Sequence, residues 1–141
     1  MHQVFLNNDP FKNLLLFFKN MFAFLHVIEA VVTYEYLKAL LAKSKDLILI
    51  DVREKDEVDK GCIPRSVHIA LGTVEEAFKM GPEDFQARYG IPKPALDAPE
   101  LVFYCRSGRR SAQALSKVRE LGYVTARNYA GSYLDWSSRE G

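Results

Sequence analysis

From residue 31 onward, short continuous apolar runs alternate with stretches in which apolar positions recur every three or four residues. Thr33 stands where an N-cap is needed for a helix running through Leu37, Leu40 and Leu41 to about Ser44. Leu47-Ile48-Leu49-Ile50 reads as a strand buried on both faces. The charged stretch Glu54 to Lys60 predicts a short helix with a solvated face. Gly61-Cys62-Ile63-Pro64 turns the chain, and Ser66-Val67-His68-Ile69 alternates as a second strand. Thr73-Val74-Glu75-Glu76 has capping-box spacing, and its helix is expected to reach about Met80. Pro82 to Tyr89 is a further helix, with Pro82 in its first turn and Gly90 as its stop. Pro92, Pro94 and Pro99 make residues 91–99 an extended surface connection. Leu101 to Tyr104 is the next strand, and Ser111 to Leu121 the next helix, with Ala112, Leu115, Val118 and Leu121 on one face and Gly122 after it. Val124 to Tyr129 predicts a last strand, and Gly131 opens a final helical segment containing Trp136.

Strands separated by helices imply an α/β fold, a parallel sheet covered on both faces. In such sheets ligands sit beyond the strands' C-terminal ends. At 141 residues the chain suits one domain with a single sizeable core.

Residues 1–30 read differently from residues 31–141. Phe11, Leu14, Leu15, Phe18, Phe22 and Leu25 recur at helical spacing, but Lys12, Asn13, Lys19, Asn20 and His26 interrupt the apolar stretch. A spanning helix needs about 20 predominantly apolar residues, which this is not. It has no uninterrupted apolar core before a small-residue cleavage site, and it lacks the arginine and serine of a mitochondrial presequence. A helix packed on the domain or a partner, a targeting or membrane-associating segment, and a disordered extension all remain open, in that order of preference.

A net charge of +1 gives no whole-chain argument for nucleic acid or an anionic membrane surface. Cys62 and Cys105 are too few for a disulfide framework or a zinc site. Free cysteines fit a reducing compartment, cytoplasmic or mitochondrial. Cys105 is the residue with chemistry around it. It ends a predicted strand and precedes a predicted helix, with Arg106, Ser107, Gly108, Arg109, Arg110 and Ser111 between. Backbone N–H groups, the helix's positive end and three guanidinium groups would all favour thiolate there. Gly108 supplies the conformational freedom a tight anion-cradling loop needs, and Ser111 is placed to cap the helix or donate to the sulfur. An inert buried thiol at the end of a core strand fits this cationic setting poorly.

The loop Cys105-Arg106-Ser107-Gly108-Arg109-Arg110-Ser111 resembles the active-site loop of the rhodanese (thiosulfate sulfurtransferase) family. Leu49-Ile50-Asp51-Val52-Arg53 resembles the family's first strand with its Asp-x-Arg. Residues 61–69 resemble its Gly-His-Ile-Pro-Gly-Ala-x-x-Ile segment, with Cys62 at the His. Tyr129-Ala130-Gly131-Ser132-Tyr133-Leu134-Asp135-Trp136 resembles its closing Gly-Gly-x-x-x-Trp. The match spans residues 31–141 and is of the small single-domain type, similar to the heat-shock-locus sulfurtransferase of flies.

The resemblance implies a three-layer fold, with a central mostly parallel sheet of four or five strands between helices. It implies a catalytic Cys105 that takes the outer sulfur of thiosulfate as a persulfide and yields it to a thiol such as glutathione, or to cyanide. No cofactor or metal is implied, and a monomer is expected. In that mechanism the amides of Arg106 to Arg110 cradle the persulfide, while Arg106, Arg109 and Arg110 draw in the dianionic donor. Ser107, Gly108 and Ser111 complete the binding loop, and Asp51 and Arg53 support it as a structural pair.

Two rivals belong to other classes. A cysteine phosphatase would carry Cys-x5-Arg, but the sixth residue after Cys105 is Ser111 and the arginine comes one place earlier. The other is a non-catalytic module that carries persulfide or only docks a partner; inactive copies in the family commonly lose the loop cysteine, which this chain keeps. The remaining residues take plain readings: Cys62 a buried thiol, His68 and His26 without metal partners, Tyr133 and Trp136 core or pocket rim.

Overall fold

The central strand of the sheet, Leu101–Tyr104, is buried along its whole length. In the computed structural model, which describes Leu14 and residues 30–141, it is β4 of a five-stranded sheet. The expectations for residues 1–30 otherwise lie outside the described residues. The strands are β1 (Val31–Val32), β2 (Ile48–Asp51), β3 (Ser66–His68), β4 and β5 (Arg127–Tyr129), in the order β1-β5-β4-β2-β3, with every neighbouring pair parallel. The helices are α1 (Tyr34–Lys43), α2 (Lys55–Asp59), α3 (Leu71–Lys79), α4 (Pro82–Tyr89), α5 (Arg109–Glu120) and α6 (Ser132–Glu140).

Side-chain alternation along β4 divides the core in two. Leu101 and Phe103 pack with Ile50, Val74, Phe78, Phe85, Ala114 and Val118 on the face covered by α3, α4 and α5. Val102 and Tyr104 pack with Leu37, Leu40, Leu49, Ile63, Tyr129 and Trp136 on the face covered by α1 and α6. Each large apolar side chain fully buried here contributes about 1.5–3 kcal/mol. Cys105, next in the alternation after Phe103, belongs to the first face. That parity aims its sulfur at the start of α5.

Most predicted elements form where the pattern puts them. Thr33 caps α1, its Oγ1 accepting from the Tyr36 N–H at 3.1 Å. Gly90 ends α4 in the left-handed region at φ 77°. Four details differ. α3 starts at Leu71, two residues before Thr73, whose hydroxyl instead donates to Ala70 O within the first turn. The Leu71 N–H is held by Val52 O, which fixes the earlier start. α5 starts at Arg109 because Gly108, at φ 94°, is its N-cap residue. The last strand is only Arg127–Tyr129, since Val124 and Ala126 bond within a turn. The two-residue β1 has no periodicity of its own and exists by pairing with β5.

Among the described residues, no helix is long and apolar enough to cross a membrane, and no group of His, Cys, Asp or Glu could hold a metal ion.

Candidate active site

β2 and β4 deliver the site. The Val52 N–H extends their ladder by donating to Tyr104 O at 3.0 Å, so the chain stays in register up to the residue before Cys105. Beyond it the loop is held by α6. The Cys105 N–H donates to Ser132 Oγ at 3.1 Å, Tyr133 N–H donates to Cys105 O at 2.9 Å, and Leu134 N–H donates to Arg106 O at 3.0 Å. These two amides lie in the first turn of α6, where helices lack internal acceptors. Ser132 makes this possible in a left-handed conformation, φ 59°, with its own hydroxyl donating to Tyr129 O at 2.8 Å.

The sulfur sits inside the bend that follows. Gly108 N–H donates to Cys105 Sγ at 3.0 Å, and Ser111 Oγ lies 3.3 Å from it. Gly108 is required twice over: its φ is positive, and a Cβ there would collide with Ala130 O. Its carbonyl accepts from Ala112 N–H at 3.2 Å and Asn128 Nδ2 at 3.4 Å, which closes the bend against β5. Cys105 is only 1% exposed. Burial alone would push its thiol pKa up, but the Ser111 hydroxyl and the amides of Ser111, Gly108 and Ser107 outweigh it and bring it below the ordinary thiol value. The thiolate preference expected from the sequence is therefore reached mainly through local hydrogen bonds rather than through the guanidinium groups.

The arginines divide. Arg106 and Arg109 are exposed at the mouth, as is Ser107. Among the described residues neither arginine has a carboxylate within ion-pair distance. Arg110 instead makes a two-pronged bond with Glu57 of α2, Nη1 to Oε1 at 2.6 Å and Nη2 to Oε2 at 2.9 Å. That bond holds the Glu57 carboxyl down to about 2. The charged stretch 54–60 is thus not only a solvated face, because Glu57 points at the loop.

Asp51 and Arg53 form the structural pair expected of them. Arg53 Nε lies 3.0 and 3.1 Å from the two Asp51 carboxylate oxygens, and Nη2 lies 2.7 Å from Oδ2. Both side chains are buried. Burial opposes the Arg53 charge, but the bonds to Asp51 more than restore it. The guanidinium also donates to Gly61 O at 2.8 Å and lies 4.3 Å from the Tyr133 ring centre, tying β2, the 61–64 turn and α6 together. Tyr104 adds a second tie to this turn, accepting from Ile63 N–H and donating to Ser66 Oγ, each at 3.0 Å. His68 bonds Arg53 O through Nε2 at 2.6 Å.

Cys62 corrects an expectation. It is exposed, not buried, because Ile63 takes the inward place in the turn. Both cysteines are free. Three contributors were not singled out from the sequence: Ser132, Glu57 and Asn128. Ser132 carried a signal, a serine at the second glycine of Gly-Gly-x-x-x-Trp, where the backbone needs positive φ. Glu57 and Asn128 carried none, since each acts across the fold.

The family model described as Rhodanese-like domain matches residues 33–139. The chain is 43% identical over 104 residues to the human thiosulfate:glutathione sulfurtransferase, covering 74% of this chain and 90% of that protein. A putative mitochondrial thiosulfate sulfurtransferase of Schizosaccharomyces pombe is 45% identical over 95 residues, covering 67% of this chain and 66% of the other. A rhodanese domain-containing protein of Drosophila melanogaster is 36% identical over 110 residues, covering 77% and 97%. Among solved structures, a human single-domain sulfurtransferase superposes with a TM-score of 0.76 at 42% identity, covering 79% of this chain and 98% of that one.

Proposed function

The chain belongs to the rhodanese-like family and is a sulfurtransferase, and from that premise we propose that Cys105 carries the sulfur from thiosulfate to a thiol acceptor such as glutathione. The observation that carries the reading is the sulfur's own environment, the Gly108 N–H at 3.0 Å and the Ser111 hydroxyl at 3.3 Å. These donors favour a negative sulfur in a buried place. They would serve a persulfide anion in the same way.

The Cys105 thiolate attacks the outer sulfur of thiosulfate. The sulfur–sulfur bond breaks, sulfite leaves with the electron pair, and the cysteine becomes a persulfide. Glutathione enters as the thiol and gives its proton to the persulfide; its thiolate attacks the terminal sulfur, forming glutathione persulfide and returning Cys105 as thiolate. The thiosulfate and glutathione assignments draw support from the name of the human relative. Two half-reactions on one sulfur give ping-pong kinetics. Arg106 and Arg109 attract the dianionic donor, and the loop amides hold the sulfur in place.

A phosphatase reading is disfavoured by the same geometry. The loop's last arginine stands one residue short of the phosphatase position, and its two terminal nitrogens are engaged by the Glu57 carboxylate, which offsets the charge a phosphoryl group would need. A carrier module without turnover would accept sulfur but not pass it on. Intact mass separates the readings. Thiosulfate should add one sulfur atom to the wild-type chain, glutathione should remove it, and Cys105→Ser should abolish the gain. A Cys105→Ser protein that transfers sulfur at the wild-type rate ends the proposal.

A further inference from the structure

Arg110 is the second residue of α5, in the turn whose Gly108 N–H and Ser111 Oγ lie against the Cys105 sulfur. The thiolate's charge reaches it and raises its pKa further, after the larger effect of the Glu57 bond. Both nitrogens of its fork are nevertheless taken by the two oxygens of Glu57. Glu57 is itself fixed on its other side, because Oε1 also accepts the Glu54 N–H at 3.1 Å in a capping box at the start of α2. The pair is partly buried, with side-chain exposures of 31% for Arg110 and 26% for Glu57. The acid is therefore held in place by a helix start, not merely hanging from a surface arginine.

The effect is on charge. Asp51 neutralises Arg53 and Glu57 neutralises Arg110, which leaves Arg106 and Arg109 as the unpaired cations of the loop among the described residues. Two cations match a dianion. A third, with a planar fork released from its carboxylate, would add a bidentate grip on a tetrahedral anion.

The geometry points to Glu57 as a positioning residue that sets which anion the loop takes. By engaging Arg110 it keeps the site weak enough for sulfite to leave and unfit to retain a phosphate-like oxyanion. This rests on the reading of Cys105 as the sulfur carrier, and it makes Glu57 the residue that divides sulfur transfer from oxyanion capture in this loop.

The test compares wild type with Glu57→Gln, Arg110→Gln and the double variant, using two readouts. The first is protection of the Cys105 thiol from iodoacetamide by inorganic phosphate and by sulfite, which needs no turnover. The second is steady-state kcat and KM with thiosulfate and glutathione. In Glu57→Gln, phosphate and sulfite should protect about tenfold more tightly, the effect of one further charged hydrogen-bonding partner. KM for thiosulfate and kcat should fall together as sulfite release slows. The double variant should return the protection constants to near wild-type values, because the freed arginine is gone. Arg110→Gln alone should weaken protection, because it leaves the Glu57 charge unpaired beside the loop, which also keeps the test decisive if Glu57→Gln does not fold. Unchanged protection in Glu57→Gln overturns the assignment, as does failure of the double variant to revert. So does unchanged or tighter protection in Arg110→Gln, which would mean that the Glu57 charge does not bear on the loop. If wild type gains no sulfur from thiosulfate, the carrier reading fails, yet the protection constants still report on Glu57.

Discussion

Ser132 accepts a hydrogen bond from the backbone N–H of Cys105 at 3.1 Å while sitting at φ 59°, so the cysteine is fixed by a serine in a conformation glycine would adopt more easily. A left-handed non-glycine residue costs of order 1–3 kcal/mol and persists only where its surroundings fix it. Here the hydroxyl both accepts from Cys105 and donates to Tyr129 O, joining the loop to β5. Ser132→Ala keeps the strain and leaves a buried N–H without a partner, so it should lower the unfolding free energy by about 1–3 kcal/mol. Ser132→Gly loses the same bond but relieves the backbone, and should be the milder change. Urea titration of both variants checks the order. An alanine variant as stable as wild type would show that the hydroxyl is dispensable.

Gly108 makes the opposite demand. Any side chain at φ 94° is strained, and a Cβ would strike Ala130 O, so Gly108→Ala must open the bend. The donor lost to Cys105 is a hydrogen bond to a charged group, worth about 1.5–3 kcal/mol. Sulfur uptake at neutral pH should fall roughly ten- to hundredfold on that account. Rapid mixing with thiosulfate followed by mass measurement reads it directly.

Asp51 and Arg53 are a buried pair with almost no solvent to replace a missing partner. Removing one member of such a pair is expected to cost about 3–5 kcal/mol. Asp51→Asn should therefore shift the urea midpoint strongly, while the milder loss at an exposed pair such as Lys55–Asp59 should stay below about 1 kcal/mol. Equal effects at the two sites would mean that Arg53 finds compensation from Gly61 O and the Tyr133 ring.

Local signals made much of this fold legible. The β2 and β4 strands are apolar runs, Thr33 is a capping residue, and Gly90 and Gly108 stand where the backbone turns left-handed. Cys105 could be singled out because its partners, Gly108 and Ser111, lie within six residues of it in the chain. The pairing of Arg110 with Glu57 spans 53 residues and that of Cys105 with Ser132 spans 27, and neither carries a spacing rule. The same limit explains why three arginines next to the cysteine looked equivalent. Their sequence neighbourhood is shared, but among the described residues only Arg110 meets a carboxylate brought by another element. β1 was hidden for a related reason, being defined by its partner strand rather than its own two residues.

The pH dependence of sulfur uptake should follow the thiol of Cys105. Burial pushes that thiol up, and the Ser111 hydroxyl with the loop amides pulls it below its ordinary value. Reactivity should accordingly rise with pH on a limb lying below the pKa of about 8.5 typical of a free cysteine. The linkage sign follows. A group whose folded pKa is lowered adds stability above its unfolded pKa, and that contribution is lost as pH falls through the folded pKa. Ser111→Ala removes a donor 3.3 Å from the sulfur while keeping the buried position filled. With one charge-assisted bond gone, the limb should move to higher pH by roughly one unit or more. The extra stability of the thiolate form should shrink by the same amount. Iodoacetamide alkylation rates across the pH range give the midpoint for both proteins. A midpoint in Ser111→Ala that coincides with wild type would leave the backbone amides as the sole support of the thiolate.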